Sequence, residues 1–340
     1  MSAPSFSINV RYSASMKKAI FFGETPSQIF SVYPADVRQR LRQSVDLPER
    51  LFSVADLGKT DFSRVEFIFA TWGVPSLTRD QWRRFFPALR CFFYGAGATD
   101  AFARELLASG VRLSSAWRAN AVPVAEYTVS AILLGLKNFY QLVRTGGSPE
   151  NWFSRPRGRG ANGATVTLLG STGAIATLVA EKLKSFDLNV IGIPSVASER
   201  KISFEEAFAV SQVVSNHLPD RNDNAGCIGG ELFSLLPVGA FFLNTGRGRQ
   251  INEKEMIEVL KKRPDLTVLL DVQSPEPPEK DSELYTLPNV FMTPHIAGSL
   301  GDELRRMGEC MAAEVELFVR DGKLANEVFE SSLLTWKDRA

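Results

Sequence analysis

Three short segments gather residue types that can do chemistry: FLNTGRG at 242–248, LLDVQSPEP at 269–277 and TPHIAGS at 293–299. Arg247 stands between Gly246 and Gly248, whose missing side chains let backbone and a small molecule come close. A planar guanidinium there can fork onto adjacent carboxylate and carbonyl oxygens. His295 is one of two histidines in the chain, and histidine exchanges a proton near neutral pH without special tuning. A carboxylate such as Glu276 can hold the far ring nitrogen, fix the tautomer and favour the imidazolium. Each residue also has a commoner passive use: an arginine in a Gly-rich turn faces solvent, and a lone histidine packs in a core. Their order and separation weigh against that, with 29 residues from Arg247 to Glu276 and 19 more to His295.

Upstream, residues 166–183 read VTLLGSTGAIATLVAEKL, an apolar strand, a small-residue turn and a helix. Gly170 and Gly173 are three apart, with Ala176 where a third glycine would be expected, so the turn looks like GxGxxG with one residue inserted. Gly170, Ser171, Thr172, Gly173, Ala174 and Ile175 would then bring backbone N–H groups and a positive helix end to a dinucleotide pyrophosphate. Taken alone the signal is weak, because an unliganded strand-to-helix turn reads the same way. Its place at the first strand of a longer pattern strengthens it.

The elements that must position these residues follow two runs of alternating strands and helices, the mark of parallel α/β architecture. In the first run, strands are expected at 18–22, 65–70, 90–94 and 111–114, and helices at 35–42, 79–86 and 100–108. A long helix, apolar on more than one face, is expected from about Val122 to Leu142. Residues 148–163, rich in Pro, Gly and Arg, read as a surface loop. The second run predicts strands at 164–169, 189–193, 212–216, 240–244, 266–272 and 290–293, with helices at 174–186, 203–208, 230–235 and 253–262. Six strands with intervening helices is the plan of a dinucleotide-binding domain. One more amphipathic helix, 302–321, is expected to return to the first domain. The expected domains are 1–120 plus 300–340 for substrate and 121–299 for dinucleotide, each a Rossmann- or flavodoxin-like parallel sheet, with an active-site cleft between them.

Together the segments around Arg247, Glu276 and His295 resemble the signatures of the D-isomer-specific 2-hydroxyacid dehydrogenases, at separations that fit. CFFYGAGATDAF at 91–102 resembles that family's Gly-Ala-Gly loop, and ANAVPVAEYTVSAILLGL at 119–136 its long helix, with Tyr127 in place of a histidine. The first ninety residues match only in pattern. The resemblance implies an NAD(P)-dependent oxidoreductase that moves a hydride between nicotinamide and a small 2-keto or 2-hydroxy acid. Arg247 would anchor the substrate, and His295 with Glu276 would supply the proton. Backbone N–H groups at Ala96, Gly97 and Ala98 would bind the substrate carboxylate. Asn120 would lie near the domain junction, and Asp271 would approach the nicotinamide amide. His217, Leu218 and Pro219 would flank the cofactor, as would Asn244, Thr245 and Gly246. A homodimer is implied as well.

The departures concern the cofactor and the substrate. The family usually places an aspartate where Pro194 falls, to bind the adenosine ribose. Here Ser195, Ser198, Arg200 and Lys201 follow, a set able to accommodate a 2′-phosphate, so NADP is tolerated or modestly preferred on this reading. Arg221 stands where a small hydroxyl residue is usual, and Gln273 replaces an aromatic.

Composition bounds the rest. The 340 residues exceed one ordinary core. A net charge of +1 gives no reason to expect nucleic acid or an anionic membrane as partner. Cys91, Cys227 and Cys310 are scattered, with no CxxC pair, which suits a reducing cytoplasm. No secretory signal is read in the polar first fifteen residues, and the apolar stretch 129–136 is broken by Ser130 and Gly135, too short to span a bilayer. A cofactor-sensing regulator or corepressor on the same fold is the alternative from another class. Formate or phosphite oxidation ranks below it, because formate enzymes carry glutamine where Glu276 stands.

Overall fold

The computed structural model describes residues 16–99, 101–146, 152 and 158–333. It divides into two compact units, one up to Ala116 with Met307–Val328, the other Trp117–Arg306 with the residues from Phe329. Most of the Pro/Gly/Arg-rich stretch read as a loop lies outside the described residues, as does the polar N-terminus.

In the first unit the strands are β1 (Lys17–Phe22), β2 (Val45–Asp46), β3 (Leu51–Phe52), β4 (Phe67–Ala70), β5 (Cys91–Tyr94) and β6 (Arg112–Ser115). They alternate with helices α1 (Pro26–Val32), α2 (Ala35–Leu41), α3 (Arg79–Phe85) and α4 (Ala103–Ala108). These strands pair parallel, and the sequence FIFA of β4 and CFFY of β5 are buried at every position. A strand covered on both faces is apolar throughout rather than alternating. Its core is aromatic: Phe69 stacks on Phe93 at 5.1 Å, while Phe22, Trp82 and Phe86 pack by their edges and tilts.

The second unit begins with α5 (Trp117–Leu136) and α6 (Phe139–Thr145). This corrects the expected helix from Val122 to Leu142 at both ends. Pro123 sits in the second turn of α5 rather than in its first; burial of Ala119, Ala121, Val124 and Ala125 outweighs the lost backbone bond. Asn138 then turns left-handed at φ 54° and separates the two helices. At twenty residues α5 is long and apolar enough to cross a membrane by length and composition, contrary to the sequence reading. Half of its apolar window is instead buried inside the protein. A Cβ on Gly135 would lie 2.2 Å from the Phe241 ring, so glycine is what lets α5 approach the sheet.

The sheet of this unit comprises β7 (Ala164–Leu169), β8 (Leu188–Ile193), β9 (Val213–Asn216), β10 (Phe241–Asn244), β11 (Thr267–Leu270) and β12 (Val290–Met292). Helices α7 (Ala174–Leu183), α8 (Phe204–Val210), α9 (Gly230–Leu235) and α10 (Glu253–Lys262) connect them. All six strands run parallel in the order β12-β11-β10-β9-β7-β8. Successive residues of β10 divide between two cores, as strand pleating requires. Phe241 and Leu243 join α5 and α7, while Phe242 joins Phe208, Phe233 and Met256 on the other face.

The chain then returns to the first unit. Helix α11 (Leu304–Asp321) lays Gly308 so close to α1 that a Cβ would meet the Val32 carbonyl oxygen at 2.0 Å. Strand β13 (Glu327–Val328) closes the first sheet antiparallel to β6. Within this corner buried Glu314 accepts hydrogen bonds from Ser114 Oγ, at 2.8 Å, and from the Ala325 and Asn326 N–H groups.

Candidate active site

The strand register brings distant residues into one row. Ile193, Leu169, Asn216, Asn244, Leu270 and Met292 are Cα partners in sequence across all six strands of the second unit. The next residue of each strand is therefore Pro194, Gly170, His217, Thr245, Asp271 and Thr293, on one edge of the sheet. In open parallel sheets ligands bind outside these carboxyl ends, where the strand order reverses. Here the order reverses between β7 and β9.

At that point Gly170 takes φ 76°, and a Cβ on it would lie 2.4 Å from the His217 carbonyl oxygen. Only glycine fits. Ser171, Thr172 and Gly173 form the turn, with Thr172 and Gly173 exposed, and Gly173 is the N-cap of α7 without any side-chain cap. Ala174 and Ile175 open that ten-residue helix, whose first N–H groups have no partner within the helix. An uncapped helix start at the reversal point of a parallel sheet fits a dinucleotide pyrophosphate.

Three buried amides tie the neighbouring loops together. Asn216 Nδ2 donates to Asn244 Oδ1 at 2.9 Å and to Gln250 Oε1 at 2.6 Å. Gln250 Nε2 donates to the carbonyls of Leu218 and Pro219, and its Oε1 accepts from the Arg247 N–H at 3.0 Å. Asn244 Oδ1 accepts from the Gly246 N–H, and its Nδ2 donates to the Arg247 carbonyl. The backbone of Arg247 is thus fixed on both sides by residues that are fully buried. Its guanidinium, about two-fifths exposed, donates to the Gly246 carbonyl and lies 3.8 Å from Asp220. A Cβ on Gly248 would meet the Gln273 backbone within 2.0 Å, so this turn rests directly on the segment that follows β11.

That segment carries Asp271, which is buried and accepts from the Ile296 and Ala297 N–H groups at 2.8 and 3.0 Å. The same carboxylate accepts from Thr293 Oγ1 at 2.6 Å, and the Thr293 hydroxyl meets Tyr127 at 2.8 Å. Burial raises the Tyr127 phenol above its usual range. Asp271 therefore holds the turn that bears His295, itself in a left-handed conformation at φ 53°. His295 Nδ1 and Glu276 Oε1 are 2.6 Å apart, with both side chains partly exposed. Arg247, Glu276 and His295 thus sit on loops from three adjoining strands.

His217 has a different setting. It is buried, with Nε2 2.9 Å from Ser215 Oγ and Nδ1 3.2 Å from Thr245 Oγ1. Burial lowers its pKa to about 3, so the ring stays neutral and orders the loop that continues into Leu218 and Pro219. Asn120, in the first turn of α5, accepts from the Ser299 N–H at 3.0 Å. Ala96, Gly97 and Ala98 belong to the first unit; Ser115 Oγ donates to the Ala96 and Gly97 carbonyls there, which orients the loop.

At the end of β8, Arg200 donates to the carbonyls of Pro194 and Ser195 and stacks over Phe204 at 4.0 Å. Arg221 also donates to the Ser195 carbonyl, at 3.2 Å, and pairs with Asp223. Lys201 is exposed. Asn216, Gln250, Thr293 and Asp220 were not among the sequence candidates. Asn216 and Thr293 carried only the signal of polarity at the end of a strand, and Asp220 and Gln250 only polarity in the loops beyond, which reads equally well as ordinary loop.

Residues 129–297 match the family model described as the D-isomer specific 2-hydroxyacid dehydrogenase NAD binding domain. Among curated proteins, the chain is 36% identical over 149 residues to a putative 2-hydroxyacid dehydrogenase, YoaD, of Bacillus subtilis, covering 42% of this chain and 43% of that one. It is 31% identical over 185 residues to glyoxylate/hydroxypyruvate reductase A of Citrobacter koseri, covering 51% and 57%. The chain thus spans about half the length of the curated relatives it matches. Among solved structures, a glyoxylate reductase from Paecilomyes thermophila superimposes with a TM-score of 0.73 at 20% identity, over 93% of this chain and 99% of that one. At that identity the likeness shows the shared fold. Through its nucleotide-binding half, the chain belongs to the D-isomer specific 2-hydroxyacid dehydrogenase family.

Proposed function

We propose that the protein interconverts a small 2-keto acid and the corresponding 2-hydroxy acid with NAD(P). The observation that carries this reading is the 2.6 Å His295–Glu276 pair beside the anchored Arg247 turn. A bound nicotinamide would supply hydride chemistry at the substrate C2. Arg247 forks onto the substrate carboxylate and the ketone oxygen, which polarises the carbonyl. Glu276 accepts from His295 Nδ1–H, which orients the ring and leaves Nε2–H to protonate the nascent alkoxide. In the oxidising direction the same nitrogen takes the hydroxyl proton. Gly170 to Ile175 would hold the pyrophosphate, and backbone N–H groups at Ala96 to Ala98 would bind the substrate carboxylate.

The cofactor reading rests on Pro194, which leaves the end of β8 without a carboxylate, and on Arg200, Lys201 and Arg221 near it. Solved relatives include one described with NAD+ and one with NADPH. A site of this kind tolerates NADPH or modestly prefers it.

The test is His295→Ala, assayed for oxidation of reduced cofactor with glyoxylate or hydroxypyruvate. Keto-acid reduction should fall by about 10²–10⁴-fold while cofactor still binds. Turnover near the wild-type level would remove His295 from the mechanism. Cofactor binding with no turnover of any keto acid by the wild type would turn the protein into a sensor.

A further inference from the structure

Beside Arg247 the second unit holds a charge arrangement that the proposed reaction does not use. Asp220 follows Pro219 in the loop leaving β9 and lies between two guanidinium groups. Its Oδ1 accepts from Arg249 Nε at 2.5 Å, and its Oδ2 is 3.8 Å from Arg247 Nε. Arg249 is steadied by Asn222 Oδ1 at 3.2 Å. All three charged side chains keep a quarter to two-fifths of their surface exposed, so the cluster, Arg247 included, is open to a small molecule. Two cations and one anion leave a single net positive charge where Arg247 alone with Arg249 would present two.

We propose that Asp220 makes this site selective for monoanionic 2-keto acids over those bearing a second anionic group. The inference rests on the reading of Arg247 as substrate anchor. A three- or four-carbon substrate held through Arg247 keeps all its atoms within about one Debye length, roughly 8 Å, of Asp220. One carboxylate on the substrate is balanced by the cluster's net charge. A phosphate or second carboxylate is not, and it meets Asp220 as a like charge in a partly desolvated setting. The arrangement also gives Asp220 a hold on the anchor itself. Arg249 takes the short contact and keeps the carboxylate at 3.8 Å from Arg247, too far for a hydrogen bond, so Asp220 steadies the guanidinium without taking up any of its donors.

The experiment compares kcat/KM for hydroxypyruvate and 3-phosphohydroxypyruvate, which differ only in the phosphate, in wild type and in Asp220→Asn, Arg249→Ala and Arg247→Lys. In Asp220→Asn the phosphorylated-to-plain ratio should rise about fivefold to tenfold, and less at high salt. In Arg249→Ala, which removes a positive charge, the ratio should fall. A structural disturbance lowers both rates together and leaves the ratio alone. A ratio within twofold of wild type in both variants overturns the proposal, and if Asp220→Asn does not fold, the direction in Arg249→Ala decides. Should Arg247→Lys leave both substrates unaffected, the anchor reading fails. If Arg247→Lys weakens both while the ratio stays fixed in the other two, the failure belongs to Asp220 alone.

Discussion

The two units are both parallel α/β sheets, yet they invest their side chains differently. In the first, the central strands are built from phenylalanines, and Phe69, Phe93, Phe67 and Phe318 pack ring against ring. At the end of β5 the chain offers small residues, Gly95, Ala96, Gly97 and Ala98, whose reactive groups are all backbone. In the second, the core is mainly aliphatic, and the strand ends carry Asn216, His217, Asn244, Thr245, Asp271 and Thr293, one after another across the sheet. A rigid sheet can position chemistry in either way. The first unit sets the shape of a peptide loop, whereas the second fixes side chains through a buried hydrogen-bond network.

The contrast makes a prediction for each side. Phe93 is fully buried and stacked, so Phe93→Ala should cost about 3–5 kcal/mol of stability. Unfolding by urea would measure it; at temperatures below the transition, KM for the keto acid should stay close to wild type. Arg247→Lys should do the reverse. It keeps the charge but loses the planar fork, and kcat/KM should drop by about 10²-fold with little change in the unfolding midpoint. If the lysine variant loses stability while its kinetics stay intact, Arg247 is a structural turn residue.

The contrast also explains what could be read in the sequence. Strands β7 to β12 were legible because each is a run of three to six residues dominated by β-branched and other apolar side chains and bounded by a turn, and the Arg247, Glu276 and His295 segments carry chemically capable residue types at fixed spacing. The two-residue strands β2, β3 and β13 have no period to detect. Pro123 hid the start of α5, since local propensity opposes what tertiary burial permits. The network behind Arg247 was hidden for another reason. Asn216 and Gln250 are 34 residues apart, and only the sheet register shows that their amides meet.

His217 sharpens the comparison within the second unit, because it and His295 follow strands β9 and β12 on one edge of the same sheet in opposite settings. The buried ring titrates at about 3 in the folded protein against 6.5 for the free side chain. Above pH 6.5 both states are neutral and the group contributes nothing. As pH falls from 6.5 toward 3 the unfolded chain takes the proton and the folded one does not. Stability should therefore decline by about 1.4 kcal/mol per pH unit over that window. Urea titrations of wild type and His217→Gln at pH 7, 6 and 5 would isolate the effect. The two curves should converge in slope if the ring is protonated in the folded state.

The smallest effect expected concerns the outer end of the same edge, at β8, where Pro194 follows the strand. Arg200 is committed to the Pro194 and Ser195 carbonyls and to the face of Phe204, so its charge is held in place beside the strand end. Arg221 reaches the same Ser195 carbonyl, but Asp223 offsets its charge. Lys201 is exposed next to them. A 2′-phosphate entering here meets no carboxylate at Pro194 and gains from any guanidinium or ammonium that turns toward it. NADPH should equal or exceed NADH in kcat/KM, and Arg200→Ala with Lys201→Ala should lower the NADPH value by about threefold to tenfold while leaving NADH nearly unchanged. Because Arg200 also braces the loop, a loss shared equally by both cofactors would assign it a purely structural role. A strong NADH preference untouched by the double change would place the 2′-hydroxyl, rather than a phosphate, at this end of the sheet.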